Sequence, residues 1–182
     1  MDIISLINDF DWLILNAIDN LKCGFMDGFM PFITSFGNIG WVWIFITICF
    51  LCTKKHRTCG FMIATALILS LIFGNIILKP LVARDRPFLA NPDIMLLIRT
   101  PMDFSFPSGH SMTSFAAATV LLCYNKKFGI PALILAILIA FSRLYLQVHY
   151  PTDVISGIII GIVFGFLAVT LVKKIKTQMT KR

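Results

Sequence analysis

Two histidines, one carboxylate and three basic residues stand at the ends of long uncharged runs in this chain, where a lipid-facing helix has no use for them. Ionisable groups beside membrane segments are costly to keep, so their default reading is a site facing a bundle interior or water. In the stretch running from Ser142 and Arg143 to His149, Pro151 and Asp153, the carboxylate lies four residues after the histidine. A histidine near a carboxylate is held in one tautomer with its other nitrogen free, the arrangement of a nucleophile or a base. Pro151 and Asp153 also suit the first turn of a helix, but that leaves Arg143 and His149 unexplained.

A second cluster, Pro107-Ser108-Gly109-His110, opens an apolar run. The free N–H groups of a helix start make an anion site there, Gly109 allows close backbone approach, and Ser108 caps the helix. Capping accounts for the serine and the glycine but not for His110. In a third cluster, Lys79 and Arg86 are seven apart, which predicts one shared helix face, with a kink or fresh start at Pro80. Alone, these two would pass as anchors at the membrane edge. Taken together, the cations and helix start can hold the equatorial oxygens of a phosphoryl group. One histidine can then attack phosphorus while the other protonates the departing oxygen and later activates water. This chemistry requires no metal and no cofactor, and neither is expected.

The elements that must position these residues are membrane helices. Of 182 residues 58% are hydrophobic and 14% charged, with a mean hydropathy of +0.87, which excludes an ordinary soluble domain and predicts one membrane domain over 1–182. The net charge of +7 falls in short clusters between apolar runs, a topology signal that argues against nucleic acid. The five cysteines are scattered and lack metal-ligand spacing, so they read as packing residues.

Ile3, Ile7, Phe10, Ile14, Ala17 and Leu21 predict an amphipathic helix over 1–22, lying in the membrane interface. Spans follow at Ile39–Cys52 with an irregular entry, Phe61–Leu78, Ser111–Asn125, Ile130–Val148 and Val154–Val172. The expected fold class is therefore all-α, an integral membrane bundle of five to six transmembrane helices, the sixth arising if 3–21 crosses the bilayer. The connection 88–106 carries an apolar patch, Ile94 to Ile98, that predicts a short surface helix at headgroup level. Gly157, Gly161 and Gly165 form a stripe for close helix approach. One side of this plan holds ten lysines and arginines, among them Lys54, Lys55, Arg57, Lys126, Lys127, Lys181 and Arg182, and the other holds six. The positive-inside rule then places the three clusters on the non-cytoplasmic face of the cell membrane.

Lys79-x6-Arg86-Pro87, Pro107-Ser108-Gly109-His110 and Ser142-Arg143-x5-His149-x3-Asp153 resemble the tripartite signature of the type 2 phosphatidic acid phosphatase superfamily, with every fixed position filled. The 79–153 region carries the signature, and the flanking spans fit the small bacterial membrane members. The resemblance implies that His149 is the nucleophile, Asp153 its orienting partner and His110 the general acid. By the same resemblance Lys79, Arg86, Ser108, Gly109 and Arg143 bind phosphate, without a metal. The implied partners are the bilayer and a lipid phosphate or polyprenyl diphosphate, with undecaprenyl diphosphate, phosphatidylglycerophosphate and phosphatidate as candidates and the oligomeric state left open. Undecaprenyl diphosphatases of the superfamily often carry Asp where this chain has Gly109. A vanadate-dependent haloperoxidase and a non-catalytic lipid-phosphate binding or transport protein are the rival readings.

Overall fold

The computed structural model describes residues 2–180; Lys181 and Arg182, counted above on the basic side, lie outside them. The described chain is helical, with no strand among those residues. Its helices are α1 (Ile3–Asp19), α2 (Gly24–Ser35), α3 (Trp41–Cys52), α4 (Arg57–Leu69), α5 (Lys79–Val82), α6 (Pro87–Ala90), α7 (Gly109–Tyr124), α8 (Lys126–Tyr145) and α9 (Pro151–Thr180). A π-helical turn, Ser70–Leu78, joins α4 to α5 ahead of Pro80, whose missing N–H and ring bulk disturb the preceding turn.

Among the described residues three segments are long and apolar enough to cross a bilayer: Arg57–Ala90, Lys126–Tyr145 and Pro151–Met179. Gly24–Ser35 and Asn38–Cys52 make a fourth if that pair, bent by 41°, counts as one broken span. The expected five to six spans are thus not all distinguished by length. The shortfall is at α7, which has 16 residues and reaches only about 24 Å at 1.5 Å per residue. That helix does not need to meet lipid, because it is the centre of the bundle. Ten of its residues, from Ser111 to Leu121, are buried against α4, α8 and α9. Trp43 of α3 enters the same core and donates from Nε1 to Ser114 Oγ at 3.0 Å. Large apolar side chains such as Phe45, Phe61, Ile159 and Phe166 point outward, as lipid-facing surface does.

The glycine stripe does the packing expected of it. A Cβ on Gly161 would lie 2.4 Å from the Met112 carbonyl oxygen, and one on Gly157 would lie 2.6 Å from that of Ser108. The α7 and α9 backbones therefore touch, which fixes the start of α7 against the start of α9. Asn125 alone separates α7 from α8 and caps the latter by accepting from the Lys127 N–H at 2.8 Å. The His56 ring meets Tyr124 and Phe128, and Lys176 donates to Thr58, so the basic loops gather at one end of the bundle. The three motif clusters gather at the other.

Several expectations are corrected. The patch from Ile94 to Ile98 is not a helix: Ile94, Leu96 and Ile98 turn inward while Met95 and Leu97 are exposed, the two-residue alternation of extended chain. Pro92 and Pro101 bracket a stretch too short to nucleate a helix. Lys79 and Arg86 do not share a helix face, because Ala83 takes a left-handed φ of 48° and the chain runs extended to Arg86. On α1 the inward residues are Asp11, Leu15 and Ile18, whereas Ile7, Phe10 and, past the helix end, Leu21 are exposed. A buried ion pair, described below, sets that rotation in place of the apolar stripe. Of the cysteines only Cys59 packs in the core, and all five are free thiols.

Candidate active site

His149 leaves the last turn of α8 through Gln147, whose left-handed φ of 52° redirects the chain toward α9. Lys22 and Asp19 hold the Gln147 side chain in that turn. Ile39, beside the α2–α3 break, and Ala83, before Arg84, also have positive φ. Such conformations cost about 1–3 kcal/mol each and persist where the surroundings enforce them. Here Ala83 and Gln147 lie within the motif stretches, and Ile39 lines the cavity they serve.

The imidazole of His149 is 1% exposed. Its Nδ1 faces two acceptors, Ser105 Oγ at 3.4 Å and Asp153 Oδ2 at 3.7 Å, so the proton belongs on Nδ1 and the lone pair on Nε2. Nε2 in turn lies 3.2 Å from Arg86 Nη1. Burial, then the cations Arg86, Arg143 and Lys79, push the His149 pKa well below the ordinary imidazole range. The ring is therefore neutral at physiological pH, with a free electron pair aimed at the cationic side of the site.

Asp153 lies in the first turn of α9, and its carboxylate accepts from Ser105 Oγ at 2.5 Å, the Tyr150 N–H at 2.9 Å and Arg84 Nη1 at 2.7 Å. Arg86 donates to the carbonyls of Asp103 and Val148 and to Asp103 Oδ1 at 2.7 Å. Lys79 pairs with the other Asp103 oxygen. Burial would raise the Asp103 pKa, but the Lys79 ammonium and the Arg86 guanidinium outweigh it and hold the carboxyl at about 2. Arg143, buried on α8, donates from Nη1 to Thr34 Oγ1 at 2.6 Å. Its Nε is the single buried side-chain nitrogen or oxygen without a hydrogen-bond partner among the described residues. Such an orphan costs about 1–3 kcal/mol, and an anion in the adjoining cavity would remove that cost.

That cavity has a volume of about 820 Å³. Its polar part is lined by Lys79, Arg86, Asp103, Gly109, His110, Arg143 and His149, and its apolar part by Ile44, Ile48, Leu67, Ile68 and Leu71 between α3 and α4. Ile68 precedes Lys79 by eleven residues, which is about 16 Å of helix, enough for a considerable length of hydrocarbon. His110, in the first turn of α7, shares a hydrogen bond of 3.1 Å between Nε2 and Asn38 Oδ1. Gly37 makes room for the ring, since a Cβ there would come within 2.4 Å of it. Gly109 faces Asn75 across the cavity wall.

The structure thus brings Lys79, Arg86, Gly109, His110, Arg143 and His149 to one cavity. Ser108 is not among its lining: its hydroxyl turns to Ser111 at 2.9 Å and caps α7. Asp153 stands behind His149. Sequence reasoning missed Asp11, Arg84, Asp103 and Ser105; of these, Asp11 alone left a signal, a carboxylate in register with Leu15 and Ile18 on one helix row.

Comparison with known proteins decides the family. The PAP2 superfamily model matches residues 58–177, the region holding all three motifs. The chain belongs to the PAP2 superfamily. An undecaprenyl-diphosphatase of Sulfolobus acidocaldarius is 36% identical over 163 residues, covering 86% of this chain and 77% of that one. A lipid A 4'-phosphatase of Bacteroides thetaiotaomicron is 30% identical, over 97% of this chain and 83% of its own. The crystal structure of a PAP2-type phosphatidylglycerolphosphate phosphatase from Bacillus subtilis superposes with a TM-score of 0.77 at 26% identity, covering 93% of this chain and 88% of that one. The PAP2 fold of these membrane phosphatases is therefore the fold of this chain.

Proposed function

We propose that this PAP2 protein is a membrane phosphatase that removes phosphate from a lipid phosphate or polyprenyl diphosphate through a phosphohistidine on His149. The observation that carries the reading is the cavity itself: an unpartnered Arg143 Nε, Lys79 and Arg86 share it with a neutral histidine whose Nε2 faces Arg86, and an apolar channel leads away between α3 and α4. In the first step the Nε2 lone pair forms a bond to phosphorus. The bond from phosphorus to the ester or bridging oxygen breaks, and that oxygen leaves with a proton from His110. In the second, water attacks the phosphohistidine, gives its proton to His110 and returns His149 to its starting state. Asp153 holds Nδ1–H throughout and offsets the positive charge of the phosphorylated ring. The three relatives compared above are phosphatases by name, which favours hydrolysis over the peroxidase and transport readings.

Three side-chain cations and a helix start supply the charge stabilisation, so turnover is expected to survive excess chelator and to be inhibited by vanadate. Phosphate release from detergent-solubilised protein, measured with EDTA across a panel of undecaprenyl diphosphate, phosphatidylglycerophosphate and phosphatidate, checks this and ranks the substrates. Activity lost on chelation and restored by Mg²⁺ would overturn the metal-free scheme.

The whole chain, 1–182, forms the catalytic domain in this reading, and the site opens on the non-cytoplasmic side of the cell membrane. The basic loops at Lys54–Arg57 and Lys126–Lys127 support that orientation. With the native cysteines replaced, a single cysteine in the 91–103 loop is expected to react in intact cells with an impermeant thiol reagent, and one at 125–127, where α7 gives way to α8, is not. The reverse pattern would move the site to the cytoplasmic face.

A further inference from the structure

Arg84 stands between two signature cations in sequence but does not line the cavity they serve. Its guanidinium bridges two buried carboxylates instead: Nη1 reaches Asp153 Oδ1 at 2.7 Å, and Nη2 reaches Asp11 Oδ2 at 2.6 Å. Its flat face lies on the Tyr150 ring, 4.0 Å from the centroid. Asp11 is wholly buried on α1 and accepts also from the Thr152 N–H at 2.9 Å and the Thr152 hydroxyl at 2.7 Å. The bridge therefore runs from the N-terminal helix to the first turn of α9. Asp153 Oδ2 is already tied by Ser105 and the Tyr150 N–H, so Arg84 supplies the tie on the other oxygen and fixes the plane of the carboxylate facing His149. Packing does not account for such an arrangement, since well-packed apolar residues stabilise a fold at least as well as a buried ion pair.

We propose that Arg84 and Asp11 are positioning residues that hold Asp153 in line with His149, which makes α1 a working part of the catalytic apparatus. The inference rests on His149 as the nucleophile. Its chemical content is orientation: without the bridge the carboxylate turns, the imidazole loses its fixed tautomer, and phosphoryl transfer slows while Lys79, Arg86 and Arg143 still bind the substrate's phosphate.

The test is steady-state phosphate release from a short-chain phosphatidate by the full-length enzyme in detergent. Arg84→Gln is expected to lower kcat about 10- to 100-fold with KM changed by no more than about twofold. Arg84→Lys should recover part of the loss. Asp11→Asn, which keeps an acceptor for the Thr152 N–H, should lower kcat alone, and the double variant should be no slower than Arg84→Gln. Unchanged kcat, a KM that rises as kcat falls, or effects that multiply in the double variant would overturn the proposal. If Arg84→Gln does not fold, Asp11→Asn decides by the same kcat and KM criterion. His149→Ala measured alongside separates the two levels. Activity surviving there removes the nucleophile assignment, whereas activity lost there with Arg84→Gln unaffected removes only the positioning role.

Discussion

His149→Ala is expected to abolish phosphate release from every substrate, and wild-type enzyme quenched during turnover should carry acid-labile, base-stable phosphate on that residue. The expectation follows from one direction in space. Nε2 is the ring nitrogen with the free pair, and it lies 3.2 Å from Arg86 Nη1, so a phosphate held by that guanidinium sits beside it. Asn or Gln at 149 should be as inactive as Ala, because neither side chain offers an sp² nitrogen lone pair. Near-normal turnover by the alanine variant would show that another group attacks phosphorus.

The second large effect is expected at His110. Its replacement by Asn should slow hydrolysis of an alkyl phosphate about 10²- to 10⁴-fold, the range for a lost general acid. Against p-nitrophenyl phosphate, whose leaving group departs without a proton, the loss should be much smaller. His110 shares the cavity with His149, but from α7 rather than from the α8–α9 connection, and the Asn38 side-chain amide oxygen orients its ring. Two histidines from different elements can approach a phosphoryl group from opposite sides, as transfer in line requires. Equal losses on both substrates would assign His110 to binding.

The convergence of the motifs was legible because each sits where an apolar run ends, and runs of bilayer length bring alternate ends together. The motif spacings carry that information in the residues themselves. What escaped was everything that depends on loops meeting loops. Asp103 reaches Lys79 and Arg86 from a connection with no period to read, and Ser105 reaches Asp153 across nearly fifty residues. The seven-residue spacing of Lys79 and Arg86 suggested a helix face, but the two residues meet only because the left-handed turn at Ala83 ends the helix between them. On α1 the apolar pattern pointed to Ile7 and Phe10, whereas the buried residues are Asp11, paired with Arg84, and Leu15 and Ile18 further along the same helix. One strong buried contact outweighs several weak preferences for lipid, which are satisfied equally well from either side of a helix.

The cavity has two walls of different origin. The polar end gathers Lys79 of α5, the loop residues Arg86, Asp103 and His149, and Arg143 of α8 around the start of α7, which is locked by backbone contact at Gly161 and by the one-residue joint at Asn125, while the hydrocarbon end is lined by side chains of α3 and α4. A change at Ile44, Ile48 or Ile68 alters the shape offered to a lipid chain without touching any group that handles phosphorus. The architecture thus separates what must stay fixed from what is free to drift, so new lipid preferences are accessible by single substitutions. Relatives named for undecaprenyl diphosphate, lipid A and phosphatidylglycerolphosphate are what such a division permits.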